Sequence, residues 1–101
     1  MQKRFKKHFR KNRSKQSHGH PAYVYRKSGN EYIYLGLTHS PVTKGKRNMR
    51  LKANPNPIDK RVSYVRPFVK RDNIKYFSKR LRRWKLSKKD KRRLLKIIRA
   101  K

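Results

Sequence analysis

Apolar and polar positions alternate most clearly between residues 21 and 37. Ala22-Tyr23-Val24-Tyr25-Arg26 and Glu31-Tyr32-Ile33-Tyr34-Leu35-Gly36-Leu37 are rich in aromatic and β-branched residues, and Ser28-Gly29-Asn30 lies between them. That pattern predicts a β-hairpin. Period-two spacing puts Ile33, Leu35 and Leu37 on one face of the second strand and Tyr32 and Tyr34 on the other. Thr38 to Lys46 reads as a loop punctuated by Pro41 and Gly45, and Asn48 to Leu51 as a short strand. Asn54-Pro55-Asn56-Pro57 reads as a turn or extended loop, because each proline removes a donor and restricts its predecessor. Val62 to Val69 alternates again, and Pro67 within it predicts an edge strand or a bulge.

Toward the C-terminus the apolar spacing changes to three and four. Ile74, Phe77, Leu81 and Trp84 form one stripe, which predicts a short helix within residues 72–84. Ser87 is the expected N-cap of a final helix, with Asp90 in its first turn favoured by the helix dipole. Leu94, Leu95, Ile97 and Ile98 would bury one face of that helix and leave Lys91, Arg92, Lys96 and Arg99 in solvent. The N-terminus has no such pattern. Gln2 to Gln16 carries eight basic residues and no acid, a density of like charge that resists packing. The expected organisation is therefore a disordered basic arm over residues 1–20, a small β-barrel or sheet over 21–69, and a basic helical segment over 70–101 packed on the sheet. The fold class is α+β.

Charge then decides the class of partner. The chain has 34 Lys and Arg against four Asp and Glu in 101 residues, a formal charge of +30. A field of that size attracts polyanions, and each neutralised phosphate releases condensed counterions, so binding should weaken steeply with salt. RNA is the expected partner, with DNA as the alternative. A membrane surface would call for a basic helix with a bulky apolar face, and only the C-terminus approaches that. No apolar run has the length of a membrane span and no hydrophobic segment follows the basic N-terminus, so a cytoplasmic location is expected. Without cysteine there is neither a disulfide framework nor a thiolate metal site. The core is small, so a bound polyanion or a second subunit should stabilise it.

Two groups of residues carry candidate chemistry. Tyr23, Tyr25, Tyr32 and Tyr34 would form a cross-strand patch on which bases stack, or else cover the core or a dimer interface. Arg26, Lys46, Arg47, Arg50, Arg80, Arg82, Arg83 and Arg92 are the cations expected to hold the phosphate backbone. The chain has four histidines (His8, His18, His20 and His39), and histidine is the side chain whose unperturbed pKa lies near neutrality and suits acid–base work. Neither a cofactor nor a metal is expected: His18-Gly19-His20 lacks the carboxylates or thiolates that would complete a shell, and four scattered acids do not make a two-metal nuclease. RNA cleavage is the polyanion chemistry that needs no metal, since the 2′-hydroxyl is the nucleophile and the protein adds a base, an acid and cationic stabilisation.

His20-Pro21-Ala22-Tyr23-Val24-Tyr25, Gly36-Leu37-Thr38-His39-Ser40, Ser63-Tyr64-Val65 and Leu86-Ser87 occur in an order that resembles the MazF/PemK family of toxin endoribonucleases. The resemblance covers residues 18–100 through short motifs. It implies an SH3-like β-barrel with a terminal helix, a homodimer and metal-independent RNA cleavage. The family's catalytic arginine before proline falls on His20, and its catalytic threonine on Thr38. Histidine can serve as acid or base there, but it does not supply the fixed bidentate cation of arginine. The family's first strand falls on the basic arm. The leading expectation is an RNA-binding MazF/PemK-like endoribonuclease. The alternatives are a non-catalytic nucleic-acid-binding accessory factor, of the kind found with ribosomes, phages or mobile elements, and a protein that engages an acidic antitoxin-like partner or a ribonucleoprotein.

Overall fold

The alternating segments form the long strands of an antiparallel sheet in the computed structural model, which describes residues 5–100. In chain order the strands are β1 (His8–Lys11), β2 (Pro21–Ser28), β3 (Glu31–Thr38), β4 (Val42–Thr43), β5 (Lys46–Arg47), β6 (Met49–Arg50) and β7 (Tyr64–Asn73). A 3₁₀ turn (Ile74–Tyr76) and helix α1 (Lys88–Arg99) complete the elements. Five strands pair in the order β1-β2-β3-β7-β6, and β4 with β5 makes a separate small hairpin. The α+β class holds, but the sheet is open. Among the described residues β1 and β6 do not pair, so the expected SH3-like barrel is not closed.

The central hairpin turns where Gly29 takes φ 56°, a left-handed conformation that glycine adopts without a Cβ clash. β2 shifts register against β3 between Val24 and Arg26. β3 shifts against β7 between Leu35 and Leu37, whose partners are Val69 and Val65. Pro67 sits inside that second irregularity. It has no N–H to donate, and an interrupted ladder asks for none.

Both faces of the sheet are apolar. On one, Phe9, Tyr23, Leu35, Leu37, Leu51 and Val65 pack with Leu94 of α1, and Leu81, Trp84, Leu86, Ile97 and Ile98 close over them. On the other, Ala22, Val24 and Tyr34 pack beneath Tyr32 and Phe77. Helix α1 begins as expected: the Ser87 hydroxyl accepts from the Asp90 N–H at 3.1 Å. The Asp90 carboxylate is fully buried and accepts from the Lys52 N–H at 2.9 Å and from Arg93 Nη1 at 3.2 Å. One short acid thereby joins the helix to the loop after β6.

Two expectations fail, and for related reasons. The arm expected to be disordered supplies β1, which pairs with β2 in the register Phe9–Tyr23 and buries Phe9 and Asn12. The sheet therefore crosses the boundary drawn at residue 20; Met1 to Arg4 lie outside the described residues. The helix expected within 72–84 does not form. β7 continues to Asn73, and beyond the 3₁₀ turn the chain runs along the free edge of β1. Arg13 N–H donates to the Tyr76 carbonyl at 2.8 Å, Ser78 N–H to Lys11 at 2.9 Å and Leu81 N–H to Phe9 at 2.8 Å. These non-local bonds satisfy an exposed strand edge, a demand that helical periodicity does not register. The stripe is consequently divided: Phe77 packs on one face of the sheet, and Leu81 and Trp84 on the other.

Candidate nucleic-acid interface

The turn between β1 and β2 is built around one side chain. Asn12 N–H donates to the His20 carbonyl at 2.9 Å, and Gly19 N–H donates back to the Asn12 carbonyl at 2.7 Å. His18 (φ 50°) and Gly19 (φ 80°) are both left-handed, which reverses the chain tightly enough for that exchange. Asn12 Nδ2 donates to the Tyr34 hydroxyl and to Asp72 Oδ2, both at 2.8 Å, and the Tyr34 hydroxyl donates to Asp72 Oδ2 at 2.5 Å. Burial, and then the bond to Asp72, push the Tyr34 phenol up to about 12. This network fixes the segment that presents His18 and His20.

That segment meets the end of β3 around a cleft of about 310 Å³. His20 and Thr38 both line it, together with His18, His39, Asp59 and Arg61. Thr38 is buried, and its Oγ1 accepts from the Ser40 N–H at 3.1 Å, which leaves the hydroxyl proton free to donate. His39 Nδ1–H donates to the Val62 carbonyl at 3.0 Å, while its Nε2 stands 3.6 Å from Asp59 Oδ2, outside hydrogen-bond range. Arg61 grips Asp59 through Nε (3.1 Å) and Nη2 (2.9 Å) and holds its carboxyl down at about 2. The cleft's anion is thus already paired.

Partial desolvation lowers the His20 pKa below its usual value, and Arg66, His18 and His39 lower it further. Arg66 stands on β7 in the stretch interrupted by the bulge. Its Nε is buried without a hydrogen-bond partner among the described residues. Its stem crosses Gly36, where an added Cβ would lie 3.7 Å from the Arg66 Cδ. A guanidinium with a free buried N–H beside an imidazole held neutral is an anion-receptive pair. Among the described residues no three His, Asp or Glu side chains cluster to hold a metal ion.

The tyrosine patch does not form. Tyr23 and Tyr34 are 4% and 1% exposed and lie on opposite faces of the sheet, so neither can stack a base. Tyr25 packs against the cluster that contains Tyr23, and Tyr32 lies 5.0 Å from Phe77 with the Arg10 guanidinium 5.2 Å over its ring. The expected cations are dispersed as well. Arg80 and Arg82 border a second groove beside β1. Lys46 Nζ stands 5.6 Å over the Phe68 ring. Arg26, Arg47, Arg50, Arg83 and Arg92 are exposed and line neither the cleft nor that groove. From sequence His39 is named only as one of four histidines suited to acid–base work, and Asp59, Arg61, Arg66 and Lys11, which also lines the cleft, are not singled out. His39 adjoins Thr38 and Asp59-Lys60-Arg61 has the spacing of a local ion pair, but nothing local marks Lys11 or Arg66.

No family model, curated protein or solved structure matches this chain.

Proposed function

We propose that the protein binds single-stranded RNA and cleaves it in the cleft between the Asn12–His20 turn and the end of β3. The observation that carries this reading is the convergence there of two imidazoles, His20 and His39, on a shared cavity with the Thr38 hydroxyl. The charge of +30 supplies the attraction for the substrate.

His20, shifted toward its neutral form, takes the proton of the ribose 2′-hydroxyl. The 2′-oxygen then bonds to phosphorus as the bond from phosphorus to the 5′-oxygen breaks. His39, held by Val62 at Nδ1, returns a proton to that 5′-oxygen from Nε2. The products are a 2′,3′-cyclic phosphate and a 5′-hydroxyl. The Thr38 hydroxyl, which lines the cleft, donates to a non-bridging oxygen, where charge accumulates in the transition state. Arg66, close enough to His20 to lower its pKa, adds a positive field beside the cleft, where His20 stands in place of the arginine of MazF/PemK toxins. Kinship with that family and its SH3-like architecture belongs to the same proposal.

The test is incubation of labelled single-stranded RNA with the full chain in excess chelator. Cleavage is expected, ending in a cyclic phosphate and abolished by a single 2′-deoxy substitution at the cut site. His20→Ala should slow it about 100-fold or more, in the range of acid–base contributions. Cleavage that survives both His20→Ala and Thr38→Ala removes the site. Binding without any cleavage leaves only a nucleic-acid binder.

A further inference from the structure

A second groove, of about 600 Å³, runs between β1, the chain at residues 80–86 and the start of α1. Six cations line it (Lys6, Lys7, Arg80, Arg82, Lys85 and Lys91), and none of its lining residues is acidic. Its floor is aromatic and apolar, with Phe9, Tyr23, Leu81 and Leu86. Trp84 lines this groove and also the His20 cleft. The indole is half-buried, and its ring lies 5.7 Å from the Phe9 ring. It is the chain's single tryptophan. The two hollows therefore share one wall, and that wall is an aromatic side chain with part of its surface in solvent.

The residues here are fixed rather than draped over the surface. Leu81 N–H donates to the Phe9 carbonyl at 2.8 Å, Trp84 N–H to Leu81 at 3.2 Å, and Lys85 N–H to Pro55 at 3.1 Å. His8 at the groove's edge donates from Nδ1 to the Lys6 carbonyl at 2.8 Å and accepts from Arg10 Nε at 2.8 Å, with Arg80 Nη2 3.5 Å away. Two guanidiniums, those of Arg10 and Arg80, thus gather about a neutral imidazole, and no carboxylate lines the groove to discharge them. Among the described residues the ion pairs that do form involve Asp59 and Asp90 alone. A row of unpaired cations over an aromatic floor suits a strand of phosphates with unstacked bases. A duplex would keep its bases from the indole.

We infer that this groove is a second nucleic-acid subsite, which takes the nucleotides next to those in the His20 cleft and stacks one base on Trp84 as the strand passes between the two hollows. The inference rests on the proposed RNA binding but not on cleavage. A strand held at both ends of the Trp84 wall is also aligned across the His20 cleft, so the groove sets the length of RNA that the protein engages.

The test uses the full chain and a 12-nucleotide 2′-O-methyl RNA, which binds without being cut. Trp84 fluorescence should be quenched as the oligonucleotide binds. Replacing Arg80, Arg82 and Lys85 together by Glu should weaken binding more than tenfold. Replacing the same three by Gln should lower the log–log salt slope by about 2, since each lost phosphate contact on a single strand removes about 0.7. The control reverses Lys27, Lys96 and Arg99, which are exposed outside both hollows, and alters net charge by the same amount. Equal weakening by the control set overturns the groove, because the effect is then one of overall field. So does unchanged Trp84 fluorescence, or tighter binding of a duplex of the same length. RNA cleavage lost in wild type with the groove effects intact would instead remove the cleft chemistry and leave this subsite standing.

Discussion

The two faces of the sheet are held by different forces. The face under α1 is an apolar core of seven buried residues, closed by leucines, isoleucines and Trp84. Among the described residues the opposite face buries a cluster of Ala22, Val24 and Tyr34 and adds the Asn12–Tyr34–Asp72 hydrogen bonds. Apolar packing has no direction and tolerates a small shift, whereas a buried hydrogen-bond network specifies where each partner sits. The second face is the one that anchors the turn carrying His18 and His20. In a chain with little apolar residue to spare, stability sits on one face and positioning on the other.

The largest effect should come from breaking the first face. Leu94 is fully buried in the cluster, and Leu94→Ala removes its side chain at the contact between helix and sheet. A loss of about 4 kcal/mol is expected, within the range for buried leucine truncation. Urea unfolding monitored by circular dichroism measures it. That is a large share of the roughly 5–15 kcal/mol that holds a domain of this size folded. A loss below about 1 kcal/mol would mean that the helix contributes little, and the contrast between the faces would fail.

Alkali should act on both faces through one tyrosine each. Burial pushes Tyr23 and Tyr34 up to about 12, against an unfolded value near 10. Between those values the unfolded chain ionises first and binds fewer protons, so stability falls as pH rises from 10 to 12. The size is on the order of 2 kcal/mol for each ring, at about 1.4 kcal/mol per unit. Urea midpoints across that window should fall, and Tyr23→Phe or Tyr34→Phe should each remove about half of the fall.

Tyr34→Phe also separates the two roles directly. It keeps the ring but removes the hydroxyl that joins Asn12, Ser17 and Asp72. A cost of about 1–2 kcal/mol is expected from the lost network bonds, less than for Leu94→Ala. The proposed RNA cleavage should fall more than stability accounts for, because the turn bearing His20 loses an anchor. Activity assayed well below the melting temperature distinguishes the two. A variant that is less stable and fully active would show that the network only stabilises.

How much of this was legible in the sequence follows the same division. The hairpin, the Pro67 irregularity and the Ser87 cap were readable because each depends on neighbours within a few residues. His20 and Thr38, given catalytic roles through the resemblance, do line one cleft. What stayed hidden depends on partners far away in the chain. Basic residues 8–11 form a strand because β2 and the 76–81 segment occupy both their edges, a gain that local charge density does not reveal. Arg66 approaches His20 only because β7 crosses β3 at Gly36. The tyrosines were assigned to one patch, yet period two already places Tyr23 and Tyr34 on opposite faces once Leu35 is known to lie opposite Tyr23.

The smallest effect should be an acid one, confined to the second face and its edge. His8 and His20 both have lowered pKa values, in each case first through burial and then through neighbouring cations, Arg10 and Arg80 for His8 and Arg66 for His20. The unfolded histidines titrate near 6.5, so as pH falls below that value the unfolded chain takes up protons that the folded chain refuses. Stability should therefore be flat above pH 6.5 and should decline below it. At His8 the mechanism is visible: Nδ1 carries the proton donated to Lys6, and Nε2 is the acceptor for Arg10. A second proton on the ring abolishes that acceptor and sets a third positive charge between two guanidiniums. Urea midpoints at pH 7.5 and 5.5 should differ in the wild type and differ less in His8→Gln, which offers a neutral side chain at either pH and leaves the His20 contribution in place. Urea is the denaturant to use because it leaves the ionic strength low and the repulsion unscreened. A wild-type midpoint that stays level or rises on acidification would mean that the cations around His8 have room to move apart, and that this edge of the sheet is held less tightly than its hydrogen bonds imply.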